Sequence, residues 1–462
     1  MKSKLFAPVD MTVGDPVMQI IKFTIPMLLG NVAQQLYNTV DSIIVGRFVG
    51  DNALAAVGSA GPILNLMLVL FMGISVGASI MVSQFFGARQ RESLSRSIGA
   101  CVVLTGAASL IIMIVGPIVT MPLLRLLGTP ESIIGWCRNY LIIICLGIAG
   151  GGYYNILSGV LRGLGDSMSA LIYLLVATGI NIVLDYVFVA YLGLGVAGVA
   201  LATVIAQFVS AFLSLRRLTQ MKEYFDMKKE YLIPDSDYIS QLIRLGIPSG
   251  ITQAIFSMSM IVVQSLTNTF GEQFIAANVI VMRIDGFVVL PALSFGAAMT
   301  TYAGQNIGAG RMDRVVEGAR KGTITAMIIS AVVTGIILLF GKPIMGLFTT
   351  TQELIDLSYR MMQIIAFGYI IIEITQCLCG IMRGAGDTVR PMWISIATSV
   401  AIRVPLAYIL VGMTKTPELP QGNCAMMYVS MLISWSLGAA ITLVVYRMGK
   451  WKTKANLVTE NS

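Results

Sequence analysis

The reading of the chain turns on Gly30-Asn31-Val32-Ala33-Gln34-Gln35-Leu36-Tyr37-Asn38-Thr39-Val40-Asp41, which closes an apolar run beginning near Met18. At helical spacing Asn31, Gln34, Asn38 and Asp41 fall on one narrow face of a segment otherwise rich in Ile, Val and Leu. A polar stripe ending in a carboxylate is costly against lipid. Such a carboxylate should face protein or a water-filled cavity, and its default reading is functional. A second acid recurs in the same way: Asn181-Ile182-Val183-Leu184-Asp185 places Asn181 and Asp185 at i and i+4, on a shared face.

Composition explains why such stripes stand out. Hydrophobic residues make up 56% of the 462 residues, charged residues only 12%, and the mean hydropathy is +0.82. A soluble core of this size could not hide that much apolar surface, so the chain reads as a polytopic membrane protein. The formal charge of +8 raises nucleic acid as a partner. The basic residues, however, are spread in short clusters between apolar runs, with no basic domain, and nucleic acid is excluded. The six cysteines lie mostly in apolar runs and the chain has no histidine, so neither a zinc site nor a disulfide framework is expected. No cleavable signal precedes the first apolar run, which serves as the insertion signal itself.

A bilayer core of about 30 Å takes roughly 20 helical residues to cross. Runs of that length lie at Met18 to Gly46, Ala53 to Phe85, Ser95 to Leu124, Ile133 to Leu161, Met168 to Tyr191 and Val196 to Leu218. Six more lie at Gln241 to Phe270, Phe274 to Gly304, Glu317 to Phe340, Leu354 to Met382, Met392 to Gly412 and Ala425 to Met448. Prolines within them, Pro26, Pro62, Pro248, Pro291 and Pro405, predict kinks. With the N-terminus in the cytoplasm, most of the 31 basic residues fall on the inner side, among them Lys2, Lys4, Arg89, Arg91, Arg216, Arg217, Arg311, Arg314, Arg447 and Lys450. The bias places both termini and the polar stretch Thr219 to Ser240 inside.

The two sets of six repeat. Ile25-Pro26 is matched by Ile247-Pro248, 222 residues on, and Leu161-Arg162-Gly163-Leu164-Gly165-Asp166 by Met382-Arg383-Gly384-Ala385-Gly386-Asp387, 221 residues on. The predicted fold is therefore all-α, with twelve transmembrane helices in two six-helix lobes related by a pseudo-two-fold axis along the membrane normal. The lobes are residues 1–218 and 241–462, joined by a cytoplasmic linker at 219–240.

Asp166 and Asp387 stand in Gly-x-Gly-Asp, a motif that holds a catalytic acid in some intramembrane proteases. At equivalent cytoplasmic helix ends they read instead as turn and N-cap residues, and an intramembrane hydrolase is the weakest of the functions weighed. Asp41, Asn181, Asp185 and Thr203 lie at similar depth in the first lobe. Two acids, an amide and a hydroxyl at one depth favour a proton or sodium site over a neutral structural cluster. The second lobe is no copy: it carries Val263 and Leu406 at the positions of Asp41 and Asp185. It has instead Arg283 and Asp285, which point to different faces, together with Glu373 and Arg403. Tyr369, Glu373 and Gln376 share a face. Glu373 is open to two readings, an ion pair with Arg403 or a second cation or substrate site.

The stretch from Ile25-Pro26 to Asp41, the Asn181-x-x-x-Asp185-Tyr186 helix followed by Gly195-Val196-Ala197-Gly198-Val199-Ala200-Leu201-Ala202-Thr203, and the paired Arg-Gly-x-Gly-Asp loops resemble the multidrug and toxic compound extrusion (MATE) transporters of bacteria. The resemblance covers essentially the whole chain. It implies a non-enzymatic antiporter of the cytoplasmic membrane, a monomer without cofactors, that exports organic, often cationic, compounds by alternating access against inward flow of protons or sodium. It further implies that Asp41, Asn181, Asp185 and Thr203 form the cation-responsive network, with any sodium at Asp41 and Asp185. Tyr369 and Glu373 resemble a tyrosine and acid of one branch, whose additional acid is missing from Ala254-Ile255-Phe256-Ser257. Gln34, Tyr37, Asn38 and Arg283 are the expected substrate-cavity residues. A flippase for a lipid-linked or amphipathic metabolite is the alternative, and would call for more basic residues in the spans than Arg283 and Arg403.

Overall fold

The computed structural model describes residues 8–454; Lys2 and Lys4, counted above with the inner side, lie outside that range. Among the described residues the regular structure is helical apart from an isolated bridge between Thr416 and Leu419, because lipid leaves each backbone N–H and C=O to be satisfied within its own segment. In order the helices are α1 (Pro16–Phe48), α2 (Asp51–Gly87), α3 (Arg91–Leu126), α4 (Glu131–Leu146), α5 (Ile148–Gly163), α6 (Ser167–Asp185), α7 (Gly195–Gln220) and α8 (Ser236–Thr267). They continue as α9 (Glu272–Val288), α10 (Leu290–Gly308), α11 (Met312–Met345), α12 (Gln352–Gly384), α13 (Val389–Ile396), α14 (Arg403–Met413) and α15 (Ala425–Arg447). Among the described residues eleven helical spans are long and apolar enough to cross a bilayer, and the pair α4 and α5, bent by 54°, supplies a twelfth.

That bend, at Gly147, is absent from the sequence reading, which took Ile133 to Leu161 as one run. Its cause is packing: a Cβ at Gly147 would collide with the Val204 side chain, and one at Gly150 would press on Phe208 at 2.9 Å. Glycine lets the helix turn and close on α7. Prolines act more mildly. Pro26, Pro62 and Pro248 lie inside continuous helices, while Pro291 follows the break between α9 and α10. Two six-residue π-helical turns, Tyr186–Tyr191 and Ala397–Ile402, interrupt the spans that begin with α6 and α13. In the first, Leu192 N–H reaches Val187 O at 2.9 Å, one residue further back than an α-helix would.

The chain forms two compact units. One comprises Ile25–Gly250 and the described part of Met1–Asp10; the other comprises Met11–Thr24 and the described part of Ile251–Ser462. The divisions fall within α1 and α8, next to the two Ile-Pro pairs. In the first unit α2 meets α8 backbone to backbone: a Cβ on Gly73 would lie 2.7 Å from Gly246 O, and one on Gly77 2.8 Å from Leu242 O. The same unit ties its linker to α3, where Arg91 donates to Lys222 O (2.6 Å) and Glu223 O (2.8 Å) and pairs with Asp226 (2.8 Å). The hydrogen bond from Arg91 holds the Asp226 carboxyl below its ordinary range. In the second unit the segment before α1 is held likewise. Met11 N–H donates to Gln305 Oε1 (2.9 Å), Asn306 Nδ2 to Met11 O (3.2 Å) and Arg314 to Gly14 O (2.9 Å).

The repeat is visible in the closest contacts. In the first unit a Cβ on Gly159 would press on Ser75 O, and in the second a Cβ on Gly380 would press on Gly296 O. Both pairs occupy matching repeat positions, where small residues let helices approach without side chains between them. Gly159→Leu and Gly380→Leu should each destabilise the protein by about 1–3 kcal/mol or more through overpacking. Thermal unfolding in detergent checks this, and unchanged melting of either variant would contradict the packing described.

Candidate functional site: buried carboxylates in each unit

In the first unit four helices converge on one acidic cluster. Asp185 is the last residue of α6 and passes directly into the π-helical turn. It is fully buried, as is Asn181 one turn earlier. Asp41 of α1 lies within hydrogen-bond reach of Asp185. The Asn181 amide spans the cluster: Nδ2 donates to Asp185 Oδ2 at 2.8 Å while its oxygen accepts from Thr203 N–H of α7 at 3.2 Å. The reversed amide would offer only a 3.5 Å contact to Thr203 Oγ1 and is the poorer arrangement. Tyr37 of α1 reaches Thr203 Oγ1 at 3.5 Å. Oδ1 of Asp41 and Oδ1 of Asp185 are buried without a hydrogen-bond partner among the described residues.

Two contacting carboxylates inside a membrane protein cannot both stay charged and unsatisfied; a shared proton or a bound cation resolves the conflict. The structure thus brings together Asp41, Asn181, Asp185 and Thr203, and adds Tyr37, which the sequence placed with the substrate residues. It also adds Tyr140, buried on α4 and within electrostatic range of both acids. No local signal marks Tyr140, since the residues a turn away on its helix face, Trp136, Cys137, Ile143 and Ile144, are apolar. The remaining polar stripe diverges from Asp41: Asn38 is exposed and accepts from Gln34 Nε2 at 3.4 Å, while Asp41 is half-buried.

The second unit holds its acids differently. Glu373 of α12 is fully buried, and neither carboxylate oxygen has a hydrogen-bond partner among the described residues. Tyr369, one turn earlier, donates to Asp285 Oδ1 of α9 at 2.7 Å and packs its ring on Trp435 at 5.6 Å. Arg403, the first residue after the other π-helical turn, forms no ion pair with Glu373; Asp285 is the carboxylate within its electrostatic range. The ion-pair reading of Glu373 therefore has no geometry to support it. Gln376 is half-buried with its backbone oxygen against Gly296, and Arg283 is exposed. Asp285 was legible as a membrane acid, but its partner Tyr369 was not, because the two lie on different helices.

The Gly-x-Gly-Asp acids are caps. Asp166 Oδ1 accepts from Ser169 N–H (3.0 Å), and Oδ2 from Ser169 Oγ (2.8 Å) and Arg217 Nε (2.7 Å). Asp387 pairs with Arg390, the second residue of α13. Gly165 and Gly386 supply the left-handed turn before each acid, at φ +87° and +83°. At Gly165 a Cβ would also strike Val9 O. Neither acid is placed to attack a substrate bond.

Comparison with known proteins gives a consistent result. The MatE family profile matches residues 26–187 and again 248–409, so that the two halves match separately. "Probable multidrug resistance protein YoeA" of Bacillus subtilis is 34% identical over 400 residues, covering 85% of this chain and 86% of that protein. "Probable multidrug resistance protein YpnP" of the same organism is 30% identical, covering 96% and 97%. Among solved structures, that of a MATE protein in complex with MaL6 is 25% identical with a TM-score of 0.89, covering 97% of this chain and 99% of the other.

The caps yield a prediction. Asp166→Ala removes both the ion pair with Arg217 and the acceptor for the Ser169 amide, which costs about 1–3 kcal/mol. Asp166→Asn, which keeps an acceptor for the Ser169 amide, should lose less. Transport by the folded fraction should be unchanged in both; a folded Asp166→Ala protein with no transport would mean that the acid is more than a cap.

Proposed function

This chain belongs to the MATE family of membrane transporters, and from that premise we propose that it is a multidrug exporter driven by an inward gradient of protons or sodium ions. The observation that carries the proposal is the contact between Asp41 and Asp185, with an unpartnered oxygen on each. Loading a cation there changes the charge of the first unit by one. That change drives transport if the inward- and outward-facing states bind the cation with different affinity. In α1, Pro26 and Gly30 precede the polar stripe and form the proposed bending element, so that the helix carrying Asp41 responds to the loaded state.

The names of the Bacillus relatives support drugs as cargo. Organic cations suit the first unit, where Tyr37 offers a ring beside the acids and Gln34 and Asn38 offer amides elsewhere on α1. Protonation or sodium binding at Asp41 and Asp185 would remove the charge that holds such a cation, which is the exchange an antiporter needs. In the second unit Glu373, buried with both oxygens free, is the proposed second cation-responsive group. The charge bias of the loops supports a bacterial cytoplasmic membrane location with both termini and the Thr219 to Ser240 linker inside, and the chain is proposed to act as a monomer.

Dye efflux from proteoliposomes, driven in turn by a proton and a sodium gradient, tests the reading and identifies the ion. Asp185→Asn should abolish gradient-driven export and weaken binding of a cationic dye while leaving the fold intact, and Asp41→Asn should do the same. Glu373→Gln should also slow export. Full activity of the Asp41→Asn, Asp185→Asn double variant would make the cluster structural and move the coupling site to Glu373.

A further inference from the structure

Arg403 is the charged group of the second unit that the coupling reading leaves without a role. Its side chain is nine-tenths buried in a membrane span, where a charge is tolerated only with a strong partner. A guanidinium carries five donors in a rigid fork suited to a carboxylate. Here the two terminal nitrogens face thioethers instead: Nη1 lies 4.0 Å from Met260 Sδ and Nη2 3.5 Å from Met431 Sδ. Sulfur is a weak acceptor. Asp285 is near enough to be felt, but its Oδ1 is taken by the Tyr369 hydroxyl, and the two side chains form no ion pair.

Met260 has a second role. It lines an open depression of about 480 Å³ on α8 and α9, together with Gln264, Asn268 and Met282. Met260 thus borders both the guanidinium and the depression. Methionine changes rotamer readily, and displacement of Met260 would open Nη1 to a ligand in the depression, with Nη2 still against Met431. Asn268 accepts from Gln264 Nε2 at 2.9 Å, which leaves the remaining amide donors and acceptors at the rim for the ligand.

We propose that Arg403 and the depression beside Met260 form a subsite for the carboxylate of a zwitterionic, amphipathic substrate. The carboxylate would replace the Met260 sulfur at Nη1 with a charge-assisted hydrogen bond, the stronger partner that the guanidinium lacks there. Asp285 makes the substrate a zwitterion rather than a simple anion, because a net negative ligand would face that acid uncompensated, whereas a cationic group on the same molecule complements it. A purely cationic substrate gains nothing from Arg403. This inference rests on the export reading only for calling the ligand a substrate; binding tests it separately.

The experiment uses the full-length purified protein in nanodiscs with no ion gradient, and follows fluorescence anisotropy of a rhodamine bearing a free carboxylate and of its methyl ester. Arg403→Met should weaken binding of the acid by about tenfold or more, the loss of a charge-assisted pair, and leave the ester almost unchanged. Arg403→Lys should retain part of the preference for the acid. Equal effects on acid and ester, or none on either, would overturn the proposal. Met260→Ala, which clears the approach without touching the charge, provides the check if Arg403→Met does not fold. It should strengthen the acid relative to the ester, and an equal change in both would also overturn the proposal. A fluorescent carboxylate without a cationic group should bind more weakly than the rhodamine acid; equal binding would refute the role given to Asp285. If wild-type protein shows the Arg403-dependent preference but exports neither dye, the export reading fails and the subsite stands. Export of both dyes without the preference leaves the reverse.

Discussion

Hydrocarbon offers a polar group neither a hydrogen bond nor a high dielectric, and that constraint decides what every part of this chain can do. It makes the backbone helical and lets helices approach closely at small residues, as at Ser75 with Gly159 and Gly296 with Gly380. It also makes unsatisfied polar atoms conspicuous. Buried serines and threonines largely bond back to their own helix, as Thr105 does to Cys101 O and Thr120 to Gly116 O. Asp41 and Asp185 each keep one buried carboxylate oxygen, and Glu373 both, without a hydrogen-bond partner among the described residues, and there an external proton or cation has most to offer.

The cluster also owes its geometry to local irregularity. Asp185 stands at the start of one π-helical turn and Arg403 at the end of the other. A π turn rotates the residues beyond it relative to those before it, so side chains on the two stretches face different neighbours than a continuous α-helix would give them. In the first unit this occurs beside the acid pair and Asn181. In the second it occurs where the chain presents a guanidinium to Met260 and Met431. The two units share a packing plan and have placed different chemistry at its irregular points.

The sequence carried most of the fold because hydropathy and a constant repeat offset are long-range signals that survive uncertainty at any single residue. The spans emerged within a few positions, apart from the α4–α5 bend, which depends on Val204 and Phe208 of another helix and leaves no mark at Gly147 itself. The π turns were hidden for the same reason. At the site, the depth of a residue along its helix was legible but its neighbours were not. Depth alone brought Asp41, Asn181, Asp185 and Thr203 to one level, and the structure joins them. Depth also offered Arg403 to Glu373, and there the structure turns the guanidinium toward methionines and Asp285 instead. Tyr140 was invisible, since a tyrosine sharing its helix face with Trp136, Cys137, Ile143 and Ile144 reads as core.

The central claim is that the Asp41–Asp185 pair exchanges a bound cation for an organic cation. The most direct measurement is ion release on substrate binding, using purified protein in weakly buffered detergent with a pH indicator, and in parallel a sodium-selective electrode. The account predicts that adding a cationic dye to wild-type protein releases protons or sodium in proportion to the dye bound, and that the Asp41→Asn, Asp185→Asn double variant, still folded, releases neither. Dye binding to wild-type protein without release of either ion, or undiminished release from the double variant, would contradict it.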